Sequence, residues 1–412
     1  MRLIDDYSHY HFILWKKNGL ITRYDMMFLS FEFLEQDFEY ILCLKFDPPL
    51  NVFRPDLKEL TKSLEAILDN DQNTFVIVTQ RKTAPTYQLR NDEYIYSFSC
   101  NFHHFKRIVK HLATVELYKG NLLFVLLDYI ANGKSSLNRI IVRQIPFGAH
   151  EVSKVQNSDV IIPHKGDLDY LRNLMKFLKN IKNINVFAGI DQAPDSHNLK
   201  LNDITPKNFY LYSFKPNPVG PYVIRNWLVD QGKSGIIAFQ DSDDMPCADR
   251  FERLSTYMGE NDIPFCGSHE IRMDYFSETV QAIRYPLNVK TALQHDPVHA
   301  LLHPSSAIER SMFYECNRLS EDKIFASDTK FLYYCYFKLN KIENIDEFLY
   351  IKRSHPDSLT TSPRTRIGSL VRTQLINQWV VDFTLIKMGA LKLENSSLNY
   401  EGSKRKFKVV QL

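Results

Sequence analysis

Gly235-Ile236-Ile237-Ala238-Phe239-Gln240-Asp241-Ser242-Asp243-Asp244 is the stretch on which the fold turns. Its opening run is uncharged and mostly apolar, the character of a strand buried on both faces at the centre of a parallel sheet. Three carboxylates follow within four positions, at the C-terminal end of that strand. Like charges so close repel, and a nearby cation is the simplest means of keeping all three ionised. Ligands of open α/β sheets sit at the carboxyl ends of the strands. A buried strand ending in Asp-x-Asp-Asp therefore predicts Mg²⁺ or Mn²⁺ held together with a phosphorylated substrate. A solvated acidic turn leading into a helix N-terminus is the competing reading, because Asp favours that position as well.

Working outward, a chain of 412 residues has room for two domains, or for one large domain with an attachment. Its 44% hydrophobic and 24% charged residues are ordinary for a folded soluble protein, and a net charge of +3 gives no reason to expect nucleic acid as a partner. Met1 to Asp6 turns acidic at once, without the apolar core of a signal peptide. No run approaches the ~18 apolar residues of a membrane-spanning helix; the longest, Leu122 to Ile130, is interrupted by Asp128. The six cysteines form no C-x-x-C pair, which fits reduced thiols. The expected location is cytoplasmic, with membrane contact at most peripheral, at the inner face of the cell membrane.

Residues 1–150 read as a smaller mixed α/β domain. Strands are expected at Tyr40 to Phe46, Thr74 to Thr79, Tyr94 to Ser99 and Leu122 to Leu127, and helices at Pro55 to Leu68 and Phe102 to Tyr118. Gly133-Lys134-Ser135 has the ending of a P-loop but lacks its first glycine, since Asp128 stands there. Nothing in this segment names a chemistry.

From residue 151 the pattern is a βαβ unit: a short strand ending at Pro163, a helix marked by Leu168, Leu171, Leu174, Met175, Leu178 and Ile181, and a strand ending at Asp191. In a parallel sheet, His164 and Asp191 share an edge with Asp241 to Asp244. Between them Val219 to Trp227 reads as a turn entering a short helix that carries Arg225, the residue type best matched to a diphosphate. Trp227, Tyr222 and Tyr275 are aromatics suited to stacking on a sugar or base, or to the core.

The order of these motifs resembles the family 2 glycosyltransferases, which have the GT-A fold. The elements that carry the resemblance are Val160 to Pro163, Asp191, Arg225-Asn226 and Phe239 to Asp244, followed by His303 to Phe313, Ser327-Asp328 and Tyr350 to Thr360. It covers roughly residues 157–361. It implies a Rossmann-like, mostly parallel sheet flanked by helices over 151–363, after the 1–150 domain and before a C-terminal amphipathic helix and basic tail over 364–412. The chain departs from the family at His164-Lys165-Gly166 after the first strand, at Gln192-Ala193-Pro194 after Asp191, and at Ser327, which replaces a Glu and leaves Asp328 alone as candidate base.

The resemblance implies a metal-dependent inverting transferase, of hexosyl or N-acetylhexosaminyl type. It would move a sugar from a nucleotide diphosphate, a UDP-sugar by expectation, to a glycan or lipid-linked glycan hydroxyl in surface polysaccharide synthesis. Asp243, Asp241 and His355 would hold Mn²⁺ or Mg²⁺; Pro163, His164, Asp191, Arg225, Asp241 and Ser242 would meet the nucleotide sugar; Asp328 would be the general base. Asp244 is read either as an assisting carboxylate or as the cap of a helix beginning near Pro246, and Asp328 is equally readable as a helix N-cap or first-turn acid. The competing functions are a sugar nucleotidyltransferase and a non-catalytic carbohydrate-binding protein on the same fold.

At the end of the chain, Arg366 to Met388 is expected to be an amphipathic helix with Ile367, Val371, Leu375, Trp379, Phe383 and Ile386 on one side. Its expected use is packing on the N-terminal segment or on a second copy in a homo-oligomer. Lys404 to Lys408 is expected to be a frayed, solvated basic tail, with anionic lipid as the other reading.

Overall fold

The computed structural model describes residues 156–412 except 193–203, 217, 278, 298, 357, 359, 360, 363 and 364, together with residues 127, 128, 131 and 132 and six strands of the N-terminal part. Those strands are β1 (Tyr10–Trp15), β2 (Ile21–Asp25), β3 (Tyr40–Lys45), β4 (Thr74–Arg81), β5 (Tyr94–Asn101) and β6 (Arg139–Ile145). They form one sheet in the order β2-β1-β3-β5-β4-β6, antiparallel except where β6 lies parallel to β4. Three of the four strands expected here are present as β3, β4 and β5. The fourth lies outside the described residues except for Leu127, which is helical, as is Asp128. The two expected helices and Gly133-Lys134-Ser135 lie outside the described residues.

The rest of the chain contributes, in order, β7 (Ser158–His164), α1 (Leu168–Leu178), β8 (Ile184–Asp191), β9 (Phe209–Lys215), α2 (Pro221–Gln231), β10 (Ile236–Phe239), β11 (Met245–Pro246), α3 (Arg250–Asn261), β12 (Phe265–Asp274), β13 (Thr279–Ile283), α4 (Val289–His295), β14 (Ala307–Glu309), α5 (Arg310–Glu315), α6 (Ser327–Lys338), β15 (Glu343–Ser354), α7 (Leu370–Lys387) and β16 (Lys408–Gln411). The strands form a second, ten-stranded sheet in the order β11-β15-β12-β14-β10-β7-β8-β9-β16, with β13 on β12. It is a mixed sheet flanked by helices: β10, β7, β8 and β9 are mutually parallel, β15 is parallel to β12, and the remaining pairings are antiparallel.

Hydrophobic patterning explains the central half. β7 is buried along its whole length and β10 at all four positions, as strands covered on both faces must be. Helix α1 starts at the Asp167 cap, whose carboxylate accepts the Asp169 N–H, and buries Leu171, Leu174, Met175 and Leu178 against one face of the sheet. On the other face α2 packs Val223, Ile224 and Leu228 beside Phe239, Phe265 and Phe331. At the far end of β7, Asp159 is wholly buried and bound by Arg310, Ser234 and Asn185, so a charge-assisted cluster locks β7 to β8, β10 and the start of α5.

Three expectations are corrected. Met245-Pro246 pairs with β15 rather than opening a helix, and α3 begins at Arg250. The C-terminal helix packs on α6, where Phe383 meets Tyr333, Tyr336 and Phe337; Ile367 and Val371, counted on its apolar side, are 73% and 58% exposed. The basic tail is not frayed: β16 pairs antiparallel with β9, and Phe407 lies against Phe214. Without it β9 would present an unpaired edge of N–H and C=O groups. Among the described residues, no helix is long and apolar enough to cross a membrane.

Candidate active site

The chain lays down β7, β8 and β9 side by side, then returns to the opposite side of β7 with β10. Strand order reverses between β7 and β10, and a crevice opens there at the carboxyl ends of the strands. His164 ends β7, and Asp241 to Asp244 follow β10 directly. The crevice is spanned by a hydrogen bond between His164 Nδ1 and Ser242 Oγ (2.9 Å). Burial drives the His164 pKa down to about 4, so the ring is neutral at physiological pH, and its Nε2 is buried without a partner. Because β12 and β15 run in the same sense as β10, the end of β15 brings Arg353 and His355 to the same edge.

The three carboxylates differ in their surroundings. Their ligand atoms lie within 4.8 Å of one another. Asp244 is buried and both its oxygens are occupied: Tyr350 donates its hydroxyl to Oδ2 (2.7 Å), and the Arg353 N–H donates to Oδ1 (2.6 Å). It ties the acidic turn to β15 and caps no helix. Asp241 Oδ1 accepts from Arg225 Nη2, and Asp243 Oδ2 is 2.8 Å from His355 Nε2. Burial raises Asp241 and Asp244 above the usual carboxylate range, with the Asp243 charge adding to both, while Arg225 pulls Asp241 back. Burial works against Asp243 too, but the hydrogen bond and charge of His355 outweigh it and lower that carboxyl. One oxygen of Asp241 and one of Asp243 remain for a ligand, beside an imidazole. That hard, oxygen-rich donor set fits a Mg²⁺- or Mn²⁺-type cation.

Behind the triad lies Arg250, fully buried, whose guanidinium donates to the Gln240 side chain (2.5 Å) and to the carbonyls of Phe239 (2.5 Å) and Pro304 (2.8 Å). It stacks over Tyr350 at 4.9 Å and fixes the path of the chain as it leaves β10. The sequence carries no signal for it. Lys352 lies two residues beyond Tyr350, on the same face of β15, and the charges of Glu270 and Asp244 raise its pKa against the opposing effect of burial.

Helix α2 joins the acidic turn to the second candidate centre. It starts at Gly220, whose φ of 90° a side chain would resist. The Val219 and Gly220 N–H groups donate to the two oxygens of Asp191 at the end of β8 (2.9 and 3.0 Å), so Asp191 holds the mouth of this helix. Arg225 faces the triad, whereas Asn226 turns away and binds Leu319 and Glu321 in the segment leading to Asp328. Asp328 sits in the first turn of α6, whose cap position is Ala326, and its Oδ1 accepts the Tyr222 hydroxyl (3.0 Å). Asp328 is thus a first-turn acid of α6 rather than its N-cap, and Tyr222 is a core residue whose hydroxyl binds it. Burial opposes ionisation of Asp328, but the charges of His303, His299 and Arg225 and the Tyr222 hydroxyl together lower its pKa. His303 is itself pushed down to about 3 by burial, stacked on Phe239 at 4.1 Å, and is uncharged at neutral pH; Arg225 and Tyr222 are the lasting influences.

Pro163, His164, Asp191, Arg225, Asp241, Ser242, Asp243, His355 and Asp328 therefore all reach one edge of the sheet. His269 and Glu270 are buried in β12, where His269 pairs with Asp346 and Glu270 with Arg272. Trp227 packs edge-on against Tyr212 and Phe214.

No family model matches the chain. Over 199 residues it is 25% identical to the "Uncharacterized glycosyltransferase EpsJ" of Bacillus subtilis (strain 168), an alignment spanning 45% of this chain and 57% of that relative's length. Solved structures to which it is similar include S. aureus TarS 1-349 in complex with UDP-GlcNAc, at 16% identity, 58% of this chain, 77% of that one and a TM-score of 0.42. Another is the mannosyltransferase PcManGT from Pyrobaculum calidifontis in complex with GDP-Man and Mn2+, at 11% identity, 65% of this chain, 72% of that one and a TM-score of 0.42. The chain is similar to a glycosyltransferase over a segment of its length, and its mixed α/β sheet flanked by helices agrees with the GT-A fold expected from the sequence.

Proposed function

We propose that the protein is a glycosyltransferase that moves a sugar from a nucleotide-diphosphate donor to a glycan or lipid-linked glycan hydroxyl, with inversion and with the help of a divalent cation. The observation that carries this reading is the convergence at one sheet edge of a carboxylate triad and His355 with a separately held carboxylate, Asp328. Asp241, Asp243 and His355 would hold the cation, which when bound supplies charge neutralisation for the leaving diphosphate. Arg225 adds a fixed positive charge beside Asp241. His164, Ser242 and Pro163 line the crevice at the nucleotide side. Each Asp191 oxygen has a second lone pair beyond its backbone bond, available to a base N–H.

Asp328 is ionised at neutral pH and takes the proton of the acceptor hydroxyl at its Oδ2. A base that activates the acceptor in line with the departing diphosphate gives one displacement, and the anomeric configuration inverts. The loop after β7, His164-Lys165-Gly166-Asp167, has one glycine and spends Asp167 on capping α1. That disfavours a nucleotidyltransferase, which requires a glycine-rich phosphate loop. Surface polysaccharide synthesis, at or near the inner face of the membrane, is the setting that fits such an acceptor. Product analysis by NMR tests the mechanism: inversion is expected, and a product that keeps the donor's anomeric configuration refutes it.

A further inference from the structure

Tyr222 and Arg225 are three residues apart in α2 and so lie on one face of the helix. They reach two different carboxylates: Arg225 pairs with Asp241 of the triad, and Tyr222 donates its hydroxyl to Asp328 Oδ1. The two also touch each other, the Arg225 guanidinium lying 5.4 Å from the Tyr222 ring centroid. Tyr222 is only 5% exposed, so its hydroxyl has a single fixed direction. Burial, with Asp328 adding, keeps that phenol protonated far above neutrality, and it remains a donor throughout the working range. Among the described residues no hydrogen bond reaches Asp328 Oδ2.

We propose that Tyr222 is the positioning residue of the general base: its hydroxyl fixes Asp328 Oδ1 and turns Oδ2 toward the acceptor, while Arg225, one turn on, keeps that base in register with Asp241. The inference rests on the glycosyltransferase reading. A hydrogen bond donated to a carboxylate stabilises its charged form and lowers its pKa. Tyr222 therefore makes Asp328 a weaker but better-aimed base, and a carboxylate free to rotate between two orientations is the worse catalyst. The other groups facing Asp328 are Arg225 from α2, His303 from the short turn before β14, and His299 just upstream of it.

The test uses the full chain with Tyr222→Phe, Asp328→Asn and the double variant. UDP-N-acetylglucosamine and GDP-mannose serve as donors with Mn²⁺, water as acceptor, and nucleoside diphosphate release is followed against pH. Tyr222→Phe is expected to lower kcat by about 10- to 100-fold with little change in donor KM, and to move the acid limb to higher pH. It is expected to add nothing in the Asp328→Asn background, because its effect passes through that carboxylate. An unchanged kcat and acid limb overturn the proposal, as does a loss that persists in full without Asp328. If the wild type turns over no donor, the functional reading fails instead. A carboxyl ¹³C titration of Asp328, assigned with Asp328→Asn, then decides on Tyr222 alone: a midpoint raised in Tyr222→Phe supports its control of the carboxylate, and an unmoved one overturns it.

Discussion

Asp243 and Asp244 are adjacent, yet their surroundings give them opposite tasks. Replacing Asp244 by Ala leaves the Tyr350 hydroxyl proton and the Arg353 N–H without their acceptor, and should lower stability by about 1–3 kcal/mol, read from denaturant unfolding. Asp243 is partly exposed and pairs with His355, so Asp243→Ala should shift the unfolding midpoint less than Asp244→Ala does while removing donor turnover. The reverse assignment would show as the larger stability loss on Asp243→Ala. Asp328→Asn should reduce kcat by about 10²- to 10⁴-fold and leave nucleotide affinity, measured by calorimetry, near the wild-type value. Asp328 has a depressed folded pKa, so its charged form is intact above its unfolded pKa of about 4, and both its base function and its stabilising contribution are lost as the pH falls through the lower folded value. The acid limb of kcat that belongs to Asp328 should therefore lie below the ordinary carboxylate range, and a limb near pH 6 would contradict its assignment as base.

At the scale of elements, the site depends on how strand ends are held. The Asp159–Arg310 pair anchors the opposite end of β7, where Ser234 and Asn185 still satisfy Asp159 if Arg310 is removed. Arg310→Met should then destabilise by about 3 kcal/mol, the low end for a broken buried ion pair, and thermal unfolding checks it. Elements whose own residues dictate their state were legible in the sequence: β7, β8 and β10 from their apolar runs, and α1 from its helical spacing and Asp167 cap. Elements whose state comes from a distant neighbour were not. β11 is two residues long and exists because β15 pairs with it, and the run from Lys404 to Lys408 reads as a basic tail until β16 is placed beside the open edge of β9. The task of Asp244 is likewise invisible locally, since its partners lie 106 and 109 residues away. Asp328 could be marked from its place in the chain, but its holder Tyr222 is 106 residues distant.

For the whole molecule, the C-terminal residues brace the start of α2. Arg405 Nη1 donates to Val219 O at the mouth of α2, the Ser403 N–H donates to Glu321, and Glu321 in turn binds Asn226. Removing residues 401–412 strips this brace together with β16, and should weaken nucleotide binding and lower the melting temperature together. Unchanged nucleotide affinity in the truncated chain would show that the brace does not shape the site. On the other flank, Tyr275 and Arg353 bind Asp128 and Asn132, and the Ala248 N–H donates to Ile140 O in β6, so the N-terminal part rests against the end of β15 that supplies His355. The most direct test of the central claim, a cation-dependent donor site built on Asp243, is nucleoside diphosphate release from a panel of UDP- and GDP-sugars with Mn²⁺, with chelator, and in Asp243→Ala. Release should require Mn²⁺ and fall by at least about 100-fold with chelator or with the substitution; release indifferent to both would contradict it.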